Sequence, residues 1–115
     1  MRTYVVEPQQ IFVPSLVQLL QECGFSIVRV TSALDPLEVV RVRPQVLFFD
    51  NDALDDATVQ YLRFLLDSLP DLGICLYSRL VPSDVKLRRS ARLVHVDKSA
   101  SGETLRSALV RFAAA

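Results

Sequence analysis

Glu7, Asp50, Ser78 and Lys98 each stand at or just beyond the end of a short apolar run in a chain of 115 residues. Together they hold the parts of one chemistry. Two carboxylates, Glu7 and Asp50, hold a divalent cation such as Mg²⁺, which takes oxygen ligands and keeps several waters. The Lys98 ammonium pairs with Asp50 or with an anion placed on it, and the Ser78 hydroxyl hydrogen-bonds that anion. A carboxylate flanked in this way suits the acceptance of a phosphoryl group as an aspartyl phosphate. Each residue also has a plainer reading. Asp50 opens a loop or caps a helix, Glu7 and Lys98 are solvated loop charges, and Ser78 caps the next turn.

These side chains meet only if the runs before them are parallel strands of one sheet. Val46-Leu47-Phe48-Phe49 shows no alternation, the pattern of a strand buried on both faces at the centre of a parallel sheet. Thr3-Tyr4-Val5-Val6, Gly73-Ile74-Cys75-Leu76-Tyr77 and Leu93-Val94-His95-Val96 read as strands too. Ser26-Ile27-Val28-Arg29-Val30 alternates, as an edge strand does.

Between them lie helical patterns. Gln9 to Cys23 places Ile11, Leu16, Leu19, Leu20 and Cys23 at helical spacing, with Pro14 in the first turn or just before it and Gly24 as the stop. Asp35-Pro36-Leu37-Glu38 reads as an acidic N-cap, a proline at the first helical position and a glutamate at the third. Asp55 to Leu69 repeats Val59, Leu62, Leu65, Leu66 and Leu69 behind an acidic start. Pro82-Ser83-Asp84 opens a short basic helix through Ser90, and Ser101 caps a last helix with Leu105, Ala108, Leu109 and Phe112 on one stripe. Five strands alternating with five helices predict a single α/β domain over residues 1–115, a doubly wound five-stranded parallel sheet with helices on both faces. In such sheets ligands gather beyond the carboxyl ends of the strands.

Composition narrows the function. Lys+Arg and Asp+Glu balance at 13 each, so net charge points to neither direct nucleic-acid binding nor an anionic membrane. No apolar run approaches the roughly 18 residues of a membrane span, and no signal-peptide layout precedes the first strand. A cytoplasmic location is expected. Cys23 and Cys75 sit in apolar contexts without a CxxC or Cys/His cluster, as core thiols. His95 is the single histidine, which excludes multi-His metal sites. It reads either as a pH or conformational switch or as a half-buried residue on the sheet edge.

With an Asp closing the third strand, a Ser the fourth and a Lys the fifth, the sequence resembles the receiver domains of bacterial response regulators, the CheY-like fold, over essentially its whole length. The resemblance implies that Asp50 is the phosphoacceptor, that Ser78 and Lys98 contact the phosphoryl group, and that Mg²⁺ is held at Glu7, Asp50 and Asp52. It puts His95 where the family carries a switch aromatic, three residues before the lysine. It implies a histidine kinase or phosphotransfer partner as donor. The implied output face is formed by the fourth helix, fifth strand and fifth helix, used for an output protein or domain or for a homodimer.

Three departures bear on this. Glu7-Pro8 replaces the family's pair of acids, which weakens the metal site. Asn51-Asp52-Ala53-Leu54 replaces the usual turn after the phosphoacceptor, and Lys98-Ser99 replaces Lys-Pro. Lys86, Arg88, Arg89, Arg92, Arg106 and Arg111 cluster in the last third, either as a docking patch or as a solvated face. The alternative function is a degenerate receiver that acts as a phosphorylation-independent interaction module. An enzyme on a flavodoxin-like scaffold is disfavoured, because the first strand-to-helix loop lacks phosphate-binding glycines.

Overall fold

Val46–Asp50 (β3) is the middle strand of a five-stranded sheet whose order is β2-β1-β3-β4-β5. The structure, a computed structural model, describes residues 1–52, 55–79, 93–99 and 101–114. Arg2–Val6 (β1) and Gly73–Ser78 (β4) flank β3, while Ser26–Thr31 (β2) and Leu93–Asp97 (β5) form the edges. Every pairing is parallel. Parallel strands need crossover helices, and these bury both faces of the inner strands.

The unbroken apolar run of β3 is explained by that double burial. Leu47 and Phe49 enter one core with Tyr4, Val6, Ile74 and Leu76, packed against Val39 of α2 (Pro36–Val42) and Val59, Leu62 and Leu65 of α3 (Asp56–Ser68). Val46 and Phe48 enter a second core with Val5, Cys75 and Val96, packed against Leu16 and Leu20 of α1 (Val13–Glu22) and Leu105, Leu109 and Phe112 of α4 (Gly102–Ala114). Cys75 is buried in the second core and Cys23 partly buried beside it, both as free thiols.

The helix starts follow their caps. Asp35 Oδ1 accepts from the Leu37 and Glu38 N–H groups at 3.1 and 3.3 Å. Glu38 does not reach back to close a capping box but pairs with Arg29 at 2.6 Å. Asp55 Oδ1 accepts from the Thr58 N–H at 2.7 Å, and Ser101 Oγ from the Thr104 N–H at 3.2 Å. The first helix is shorter than its apolar spacing suggested. A 3₁₀ turn, Gln10–Phe12, precedes it, so Ile11 is 81% exposed rather than part of the stripe. Pro14 lies in the first turn of α1, where its missing N–H costs nothing. The expected basic helix over 82–90 lies outside the described residues.

At the amino-terminal edge, Gly73 leaves room for the Phe112 ring. A Cβ built there would sit 2.5 Å from Phe112 Cζ. Gly73→Ala should therefore push Phe112 off its contact with Phe25 and lower stability by about 1–3 kcal/mol. Urea unfolding measures this, and an unchanged midpoint would mean that Phe112 moves aside freely.

Candidate functional site

Register and pleat together decide which side chains meet at the carboxyl edge. Val6 pairs with Phe49, so Glu7 follows β1 at the level at which Asp50 ends β3. Asp50 pairs with Tyr77, and Tyr77 with Val96, two residues before Lys98. Side chains alternate along a strand. Glu7, Asp50, Tyr77 and Lys98 thus share the parity of Val5, Phe48, Cys75 and Val96, which face α1 and α4. All four line a cleft of about 490 Å³, walled by Phe12, Leu16 and Leu19 on one side and Leu105 on the other.

Asp50 and Glu7 are both buried, at 5% and 2% exposure. Lys98 Nζ lies directly on Asp50 Oδ1, 2.9 Å from Asp52 Oδ1 and 5.6 Å from the centre of the Tyr77 ring. Burial alone would lower the Lys98 pKa, but its bonds to Asp50 and Asp52 outweigh that and leave it raised. Asp52, in turn, is held below the usual carboxylate range by Lys98.

Glu7 is the displaced group of the set. Its Oε1 accepts from the Gln9 N–H at 2.9 Å, while its Oε2 is buried without a hydrogen bond of ordinary geometry. Burial, and then the neighbouring Asp50 carboxylate, push its pKa up to about 7. Two carboxylates this close cannot both ionise cheaply.

Ser78 and His95 are placed differently. Ser78 has the parity of Leu76, so it leaves the strand toward the face covered by α2 and α3. It is fully buried, and its Oγ lies 3.1 Å from His95 Nε2, which is also 3.2 Å from the Ser78 carbonyl. Neither residue lines the cleft. In this structure the pleat turns the Ser78 hydroxyl to the β5 edge, where it meets His95 rather than Asp50.

Among the described residues no three His, Cys, Asp or Glu side chains converge as a metal cluster, and the Asp52 side chain, 65% exposed, turns to Lys98. Glu7 and Asp50 do fit a hard cation. They offer oxygen donors, one of them an orphaned buried oxygen, beside a cleft from which water completes the shell. Pro8 adds no donor.

Sequence reasoning missed Arg79. It lines the cleft and lies in the electrostatic field of Asp52. Its position directly after the buried strand was the available signal. Of the basic cluster, Lys86, Arg88, Arg89 and Arg92 lie outside the described residues, and Arg106 pairs with Glu22 of α1 at 2.7 Å. Among the described residues no helix is long and apolar enough to cross a membrane.

No protein-family model and no curated protein matches the chain. Solved structures do. A pilus assembly-related protein of Burkholderia pseudomallei superposes with a TM-score of 0.76 at 20% identity, covering 99% of this chain and 90% of that one. A response regulator from Thermotoga maritima gives 0.71 at 14% identity over 99% and 98%. The isolated receiver domain of RcsB from Salmonella enterica, determined with phosphomimetic beryllofluoride, gives 0.67 at 14% over 100% and 86%. At these identities the likeness is one of fold. The chain has the CheY-like fold, a five-stranded parallel sheet with helices on both faces, as expected from its alternation of strands and helices.

Proposed function

We propose that this domain is a signal-transduction receiver that accepts a phosphoryl group on Asp50. The observation that supports it most is the placement of Asp50: buried at the end of the central strand, against Lys98, and opening onto the cleft. A histidine kinase or phosphotransfer protein is the donor in this reading. An Asp50 carboxylate oxygen attacks phosphorus and forms a new O–P bond. The P–N bond of the donor phosphohistidine breaks, and its electron pair stays on the imidazole, which takes up a proton. The product is an acyl phosphate.

The chain's own groups serve this step in distinct ways. Lys98 neutralises the phosphoryl oxygens as charge builds on them, a preorganised electrostatic contribution. The apolar walls at Phe12, Leu16, Leu19 and Leu105 limit water around the acyl phosphate. Glu7 and Asp50, with a backbone carbonyl near Asp52, would hold Mg²⁺, which would supply charge neutralisation for the transferring group. Ser78 leaves His95 and turns to the new anion. That exchange carries the signal to the face made by β5 and α4, where an output protein, domain or second copy docks.

The test is intact mass after incubation with acetyl phosphate, with and without Mg²⁺. We expect a Mg²⁺-dependent adduct of one phosphoryl group, absent in Asp50→Asn. A second reading, a degenerate receiver used as a phosphorylation-independent interaction module, is favoured by Pro8 in place of an acid. It predicts no adduct and no Mg²⁺ binding in a titration, and either finding of uptake would remove it.

A further inference from the structure

We propose that Asp52 is an internal competitor for the incoming phosphoryl group: in the resting site its carboxylate occupies the Lys98 ammonium and must give way before an anion on Asp50 can take that partner. This rests on the receiver reading above and concerns the regulation of the same site.

Three observations support it. First, Lys98 is shared, lying on Asp50 and 2.9 Å from Asp52 Oδ1. Second, the two acids are held very differently. The Asp50 side chain is 7% exposed and fixed by its strand, whereas that of Asp52 is 65% exposed and follows the strand end. Asp52 can therefore leave Lys98 without disturbing the core. Third, the cations that line the cleft among the described residues are Lys98 and Arg79, and Asp52 faces both. Its carboxylate is thus an oxygen anion where a phosphoryl oxygen would be drawn.

The three donors of an ammonium could serve both anions at once. The obstacle is the like charge a phosphoryl group brings close to Asp52. An exposed ion pair is weak, so the competitor tunes the site rather than closing it. Removing the Asp52 charge should strengthen anion uptake by about three- to tenfold, the range of an exposed pair together with one relieved repulsion.

The test compares wild type, Asp52→Asn, Asp52→Glu and Asp71→Asn. Asp71 is exposed before β4, at the opposite edge of the sheet, and controls for net charge. Beryllofluoride with Mg²⁺ is titrated and followed by ¹⁹F NMR, alongside the rate of adduct formation from acetyl phosphate. The proposal expects Asp52→Asn to bind three- to tenfold tighter and react faster, Asp52→Glu to keep most of the restraint, and Asp71→Asn to match wild type. Uptake by Asp52→Asn where wild type shows none supports it equally. Equal affinities overturn it and leave the receiver reading standing. Weaker binding by Asp52→Asn also overturns it and assigns Asp52 to the metal. No binding by any of the four proteins overturns the receiver reading and this proposal together.

Discussion

Lys98→Met should lower the stability of this domain by about 2–4 kcal/mol at pH 8, because it leaves a buried carboxylate without its counter-charge. Asp50 and Glu7 would then face each other with no ammonium between them and the solvent. The loss is limited by protonation, since a buried acid that cannot be paired takes up a proton. The deficit should therefore shrink as the pH is lowered from 8 to 5. Urea unfolding at several pH values measures it, and a pH-independent loss would point to lost packing of the lysine stem instead. Phosphoryl uptake from acetyl phosphate should fall by roughly 10²-fold in the same variant, the usual consequence of removing one preorganised charge from a developing anion.

The second large effect concerns Glu7. Its pKa is raised from an ordinary 4.5 to about 7, by burial first and by Asp50 second. The folded state thus holds a proton on Glu7 more tightly than the unfolded chain does. This contribution is fully present below pH 4.5 and is lost as the pH rises through 7. A shift of this size corresponds to about 3 kcal/mol, and the open cleft above the site reduces that to about 2 kcal/mol.

Glu7→Gln carries the shape of the protonated acid without its titration. It should match wild type at pH 4.5 and exceed it by about 2 kcal/mol at pH 8. Its amide oxygen can still accept from the Gln9 N–H. A wild-type stability that stays flat from pH 5 to 8 would overturn this account. In the Lys98→Met background the gain from Glu7→Gln should be larger, because the ammonium no longer offsets the second charge. A double-mutant cycle reads that coupling directly.

These effects arise where two structural facts cross, and only one of them is visible in the chain. Apolar runs of strand length, broken by Pro and Gly and ended by Glu7, Asp50, Ser78 and Lys98, determined the strands and their carboxyl edge. Burial on both faces leaves no other use for a run such as Val46-Leu47-Phe48-Phe49. The caps at Asp35 and Ser101 were equally legible, because capping is local and depends on side-chain oxygens three or so residues away.

What only tertiary structure decided is which strand-end side chains face each other. A period of two sends neighbouring residues to opposite faces, so a one-residue difference in where a strand ends separates Ser78 from Asp50 and gives it to His95. Register across β1, β3, β4 and β5 is a property of pairing between distant segments, and no single run encodes it. The same holds for the choice Lys98 makes between carboxylates. Asp52 sits 46 residues away in sequence, yet it shares the ammonium with Asp50. That choice follows from distances across the folded edge, where the field of each charge falls off within a few ångströms.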